Sequence, residues 1–283
     1  MIYLLLSLNF LLMILMPLLL GWFIARRRGA SWRLFGMGAV TFVAAQVFHI
    51  PFNALVNRSG ILPQDLSVVT NLVILSLFLG LSAGVFEEGA RYLTYRYWAR
   101  DARTWGRGLM LGAGHGGIEA IIIGVLGAVN FVALAAMRSG ALLDQLPAEQ
   151  LPLVEAQIEA VFGTPPHLAL LGAVERLFAL TAHLAMSLLV MQVFTRGRIR
   201  WLLAAILWHT LLNAVAVFAV NTWSAVVTEA LIGVVALLSL GIIFWLRQPE
   251  PQEPELEPLP EAGPAPPLEA KVTEEALDGS RYS

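Results

Sequence analysis

Seven long apolar stretches alternate with polar connections along this 283-residue chain, at roughly residues 2–24, 34–56, 67–96, 108–136, 168–194, 201–220 and 224–246. About 20 predominantly apolar residues let a helix cross the hydrocarbon core of a bilayer, and each stretch reaches that length. The pattern predicts an all-α, polytopic membrane helical bundle of about seven transmembrane helices. The first stretch lacks a basic leader and a small-residue cleavage site, so it is expected to be an anchor helix rather than a cleaved signal.

Basic residues fall on alternate connections. Arg26, Arg27, Arg28 and Arg33 follow the first stretch, and Arg100, Arg103 and Arg107 follow the third, with Arg91 and Arg96 leading into them. Arg196, Arg198 and Arg200 follow the fifth stretch, and Arg247 the seventh. The other connections hold only Arg58 and Arg138, beside Asp65, Asp144, Glu149, Glu155 and Glu159. Cytoplasmic loops carry the excess of Lys and Arg, so the N-terminus is expected outside and the C-terminus in the cytoplasm. The one long connection, near 137–167, places Leu151, Val154, Ile158 and Phe162 at helical spacing opposite Glu149, Glu155 and Glu159. That spacing predicts an amphipathic helix on the outer surface, first as a packing cap and second as a substrate gate.

Composition sharpens this picture in three ways. Charged residues make up 13% of the chain, against about 25% in soluble domains, so a multi-pass integral protein of the plasma membrane is expected, with the lipid bilayer as its surroundings. The net charge of −2 hides a division: residues 1–248 hold sixteen Arg against eleven Asp and Glu, whereas 249–283 hold nine acids against Lys271 and Arg281. Eight of the fifteen prolines also lie in 249–283. Residues 1–248 are therefore taken as the transmembrane domain and 249–283 as a disordered, Pro/Glu-rich cytoplasmic tail. No basic tract suggests a nucleic-acid partner. Without cysteine there is no thiolate nucleophile or Cys-ligated metal, and any metal must use His, carboxylate or amide ligands.

Four polar clusters interrupt the apolar stretches: Glu87-Glu88, His115 with Glu119, His183, and His209 with Asn213. An ionisable side chain in hydrocarbon costs about 2.5–3.5 kcal/mol on insertion scales. His115 lies eight residues beyond Arg107, His209 nine beyond Arg200, His183 thirteen before Arg196 and Glu87 nine before Arg96. At about 1.5 Å of rise per residue these separations put all four roughly 12–20 Å from the arginine-rich face, in the cytosolic half or the middle of the bilayer. A shared hydrophilic site is expected there.

Blander readings stand beside that one. A lone intramembrane His is more often a helix-packing group than a ligand. Glu87-Glu88 could open a solvated helix paired with Arg91, although Tyr92, Tyr95, Tyr97 and Trp98 resemble an interfacial belt that would set the acids deeper. The glycines of Gly112-Ala-Gly-His-Gly-Gly117 suit either close packing or room for substrate and water. Gln46 and His49, before Pro51, are read first as hydrogen-bonding groups at a helix kink and second as support for the site. Glu175 and Arg176 are read as an ion pair fixing helix register or as interfacial groups.

With Glu87-Glu88-Gly-Ala-Arg91, His115-Gly-Gly-Ile-Glu119, His183 and His209-Thr-Leu-Leu-Asn213 in this order, the chain resembles the YhfC family of intramembrane metalloproteases, over about residues 1–246. It is similar more widely, from residue 67 onward, to the group containing type II CAAX prenyl proteases and PrsW-like proteases. That group carries EExxxR or EExxK, then FxxxH or FxxxE, then HxxxN or HxxxD. Here the first motif is EExxR, and His115 stands where the group places Phe, so either His115 or Glu119 fills the second motif.

The resemblance implies an intramembrane endopeptidase acting on a membrane-associated peptide or protein. Glu87 is implied as the general base, beside Glu88, and Glu88 with Arg91 would hold the helix end and orient it; which glutamate is the base stays open. His209 and Asn213 would polarise the scissile carbonyl and stabilise the oxyanion. His115 and His183, with His209 as a third, are candidate ligands for a divalent metal, zinc first, and Glu119 would be a ligand, its supporting partner or a catalytic group. A metal-free glutamate mechanism is equally writable, and the oligomeric state is open. The alternatives are an ion-coupled or metal transporter, which would favour two inverted halves that seven unpaired spans do not offer, and a catalytically inactive scaffold.

Overall fold

A computed structural model describes residues 1–141 and 147–248; Asp144 and the expected acidic tail lie outside the described residues. Eight α-helices run in the order α1 Ile2–Arg28, α2 Trp32–Arg58, α3 Val69–Leu93, α4 Trp105–Arg138, α5 Leu151–Phe162, α6 Leu171–Thr195, α7 Arg200–Thr222 and α8 Ala225–Trp245, with no strand among the described residues. All but α5 are long and apolar enough to cross a membrane. Their bounds lie within a few residues of the apolar stretches, because helices run past the hydrocarbon edge into their arginines. α3 continues as a π-helical turn, Thr94–Trp98, and Ser31, Thr104 and Ser224 cap α2, α4 and α8 by accepting backbone N–H groups. The outer face of the bundle is coated by exposed Leu4, Phe48, Leu126, Leu207 and Leu237, an apolar surface suited to lipid and not to water. The protein is an all-α, multi-pass membrane bundle.

The arginine-rich connections gather at one end. Arg33 pairs with Asp101 at 2.9 Å and Arg107 approaches the same carboxylate at 3.8 Å. The Arg28 and Arg247 guanidiniums lie over the Trp105 ring at 4.9 and 5.8 Å, and Trp105 Nε1 donates to the Ile243 carbonyl at 2.9 Å. Partial burial opposes the charge of Asp101, but its own backbone amide and Arg33, followed by Arg107, hold its carboxyl below the usual carboxylate range. At the opposite end Tyr3, Phe131 and Phe162 pack ring to ring, with Arg138 4.7 Å over Phe162. Helix α5 ends in this cluster. Its half-buried side chains include Leu151, Val154, Ile158 and Phe162, while Glu155 and Glu159 are exposed, so its apolar stripe is the one its spacing predicts and it packs on α4.

Two seams set the site's geometry, and both are made by glycine. A Cβ on Gly38 of α2 would meet the Leu111 carbonyl oxygen at 2.1 Å, and one on Gly114 of α4 would meet that of Phe35 at 1.9 Å. These backbones touch. On α3, Gly80 and Gly84 lie against the carbonyls of Thr210 and Ile206 on α7, at 2.5 and 2.7 Å from an added Cβ. Neighbouring Gly112 and Gly116 press α4 against Ser187 and His183 of α6, so the glycine run around His115 serves close packing, one of its two expected roles. Gly114→Ala is expected to cost about 1–3 kcal/mol or more, as overpacking does. Gly36→Ala, where an added Cβ meets nothing within 4 Å, should be neutral or slightly stabilising; thermal denaturation of the two variants in detergent checks this.

Candidate active site

The seams bring the polar clusters of four helices to one depth. From α3 come Glu87, Glu88 and Arg91; from α4, His115 and Glu119; from α6, His183; from α7, His209 and Asn213. Glu88 and Arg91 form an ion pair one helical turn apart, both fully buried. The remaining Glu88 oxygen accepts from His209 Nδ1 at 2.9 Å. Arg91 also reaches His183 Nδ1 at 3.2 Å. A guanidinium only donates, so Nδ1 accepts and the proton of neutral His183 sits on Nε2, which donates to Glu119 Oε2 at 2.8 Å. The other Glu119 oxygen takes a 2.8 Å bond from Arg176, which also pairs with its neighbour Glu175.

Glu87 is held from both sides. His115 Nε2 lies 3.1 Å from its Oε2, Gln46 Nε2 donates to its Oε1 at 2.9 Å, and His209 Nε2 stands 3.9 Å from Oε2. Gln46 is itself fixed by a directional chain. The Asn53 amide nitrogen donates to His49 Nε2 at 2.9 Å, which leaves the ring proton on Nδ1 to donate to Gln46 Oε1 at 3.2 Å. That in turn points the Gln46 NH2 at Glu87. Gln46 and His49 thus serve the carboxylate and not a helix kink.

A cavity of about 60 Å³ opens among these groups, lined by Glu87, Glu119, Arg176, His183, His209 and Asn213. The Asn213 side chain, on α7, has no hydrogen-bond partner among the described residues. Glu87, His115 and His183 offer ligand atoms all within 4.8 Å of one another, and all three are buried. His115 Nδ1 is shielded and unpartnered among the described residues. One carboxylate and two imidazoles are a donor set that divalent zinc accepts, so the residues fit a metal ion. Holding one would require His183 to release Glu119 or Arg91. His209, the third imidazole expected as a ligand, faces Glu88 with Nδ1 and stands beside this group.

Compared with known families, residues 12–239 match the family described as YhfC intramembrane metalloprotease. The chain belongs to that family. It is 32% identical over 234 residues to a Bacillus subtilis (strain 168) protein described as "Uncharacterized membrane protein YhfC", covering 81% of this chain and 88% of that one. No solved structure matches. Family membership agrees with a metalloprotease, and the buried Glu87, His115 and His183 group is where this chain could bind the metal.

Sequence reasoning missed the reach of Arg176 into the site and ranked Gln46 too low. Signals for both exist: Arg176 precedes His183 by seven residues, two turns on the same face, and Gln46 precedes His49 by three. Breaking the buried ion pair from one side leaves an unmatched charge, so Arg91→Met is expected to cost about 3–5 kcal/mol. The double variant Glu88→Leu/Arg91→Met should cost less than the two single changes together, as read by thermal denaturation in detergent.

Proposed function

We propose that this chain is an intramembrane endopeptidase that hydrolyses a peptide bond of a membrane-associated substrate, with Glu87 as the general base. The observation that carries this reading is the Glu87 carboxylate, gripped by Gln46 and His115 and set on the wall of a polar cavity within an apolar bundle. One water requires about 10–15 Å³ of such space, so a cavity of about 60 Å³ admits the attacking water.

In the proposed reaction Glu87 takes a proton as the water oxygen bonds to the scissile carbonyl carbon, and the carbonyl π pair moves onto oxygen. The Asn213 amide donates to that oxyanion. His209, anchored by Glu88 through Nδ1, donates from Nε2 in its protonated form. As the tetrahedral intermediate collapses, the C–N bond breaks and Glu87 returns its proton to the leaving amine. A divalent metal, zinc first, would be held by Glu87, His115 and His183 and would supply Lewis-acid polarisation of water and carbonyl. With Glu87 so engaged, the Glu119 carboxylate on the cavity wall beside His183 would take the proton.

A transporter needs a path through the whole bundle. Between the site and the arginine-rich end the structure is filled by Tyr95, Met110, Ser187, Leu188 and Met191, each at most 1% exposed, which favours hydrolysis over conduction.

Glu87→Gln should lower cleavage by about 10²-fold or more, the scale of general-base catalysis, while the protein still inserts and folds. Comparing membrane peptidomes of wild-type and Glu87→Gln cells checks this; identical peptide sets would refute the reading. Gln46→Leu, which removes one grip on Glu87, should slow cleavage of a substrate so identified by less than Glu87→Gln does. Elemental analysis of purified protein should find stoichiometric zinc that is lost in His115→Ala and in His183→Ala; protein that is active and metal-free would leave the glutamate mechanism alone.

A further inference from the structure

We propose that water and the scissile segment of the substrate reach the site from the end of the bundle opposite the arginine-rich connections, along the seam between α6, α7 and α8. What the route delivers rests on the endopeptidase reading; the route itself does not.

The polar cavity leans one way. Besides the site residues, its wall includes Glu175, Ala216 and Ile232. Glu175 lies in the first turns of α6, Ala216 in the last turns of α7 and Ile232 in the first half of α8, all toward the end away from Arg196 and Arg200. A second cavity, of about 230 Å³, shares those three residues and continues outward past Val220, Thr228 and Glu229. The two spaces are therefore consecutive along one seam.

The neck between them is polar on one side. Arg176 bridges Glu119 on the inner side to Glu175 on the outer side, so the α6 side of the neck is charged while Ala216 and Ile232 line its other sides. Glu229 Oε2 is shielded and has no partner among the described residues. Such an oxygen calls for a hydrogen-bond partner, and the outer cavity beside it, at about 230 Å³, has ample room for water to supply one. Toward the arginine-rich end α3, α4 and α6 are tightly packed. Beneath the site Arg91 and Tyr95 are fully buried, Tyr95 bonds Ser187 at 2.8 Å, and Ser187 bonds the Gly108 carbonyl at 2.7 Å. This buried layer separates the inner cavity from the arginine-rich end, and the groove between α2 and α3 on that side, lined by Thr41, Phe48, Phe86 and Leu93, shares no residue with the cavity.

Loop charge puts the open end on the non-cytoplasmic side. The substrate class that follows is a membrane-associated peptide whose scissile bond is presented from the outer leaflet.

The chain has no cysteine, so single cysteines can be placed in the otherwise native protein. Arg100→Cys marks the arginine-rich face, and Asn213→Cys and Ala216→Cys report on the inner cavity. Sealed vesicles of known sidedness are treated with a membrane-impermeant, positively charged thiol reagent from either face. The expected result is that Asn213→Cys and Ala216→Cys react only from the face opposite Arg100→Cys. Reaction from the face of Arg100→Cys, or from neither face, overturns the route. Ala216→Cys keeps the test open should Asn213→Cys fail to fold, since both report on one cavity. If the labelling holds and the wild-type chain cleaves nothing, the route stands and the endopeptidase reading fails.

Discussion

A guanidinium fully buried among apolar helices must be matched by a carboxylate, and the Glu88–Arg91 pair meets that demand within a single helix. The rest of the site is arranged around it. Each partner has capacity to spare after pairing: Glu88 accepts from His209 on α7, and Arg91 donates to His183 on α6. Three spans are thereby fixed in register by one ion pair, and the adjacent Glu87 is turned to the facing side, toward α2 and α4. The two consecutive glutamates point to different partners because successive residues on a helix do not share a face. Glu88 is spent on Arg91 and His209, and Glu87 is the one that faces the cavity.

The candidate metal donors are held by hydrogen bonds that a bound ion would have to displace. His183 uses both ring nitrogens, toward Arg91 and Glu119, and Glu87 accepts from Gln46 and His115. Gln46 contacts Oε1 and can stay when Oε2 changes partner. Glu119 keeps its Arg176 bond if His183 turns away. Second partners of this kind orient ligating groups in metal sites, and here they come from α2 and α6, outside the motifs that carry the ligand set.

Much of the fold is legible in the sequence, because bilayer thickness and the polarity of arginine-bearing connections constrain a chain of this kind strongly. The seven spans, the half-buried stripe of α5 and the common depth of Glu87, His115, His183 and His209 follow from length, spacing and rise per residue alone. What the sequence does not carry is which side chains face one another across helices. Gln46 looks like a neighbour of Pro51 until α2 is docked on α3, and Arg176 like an interfacial group until α6 is docked on α4. The direction in which the cavity opens depends on packing between α6, α7 and α8, whose apolar faces are alike in sequence.

The glycine seams have a mechanical consequence. Where Gly38 meets Leu111 and Gly114 meets Phe35, main chain rests on main chain with only hydrogen between. Sliding α2 along α4 by a single residue would drive a side chain into a peptide group, so their relative register has one permitted value. The same holds for α3 and α7 at Gly80 and Gly84. The bundle is stiff in those two directions, and compliance is left to helices that meet through side chains able to change rotamer. Helix α8, which meets α7 through Trp208 and Ser239, is of that second kind.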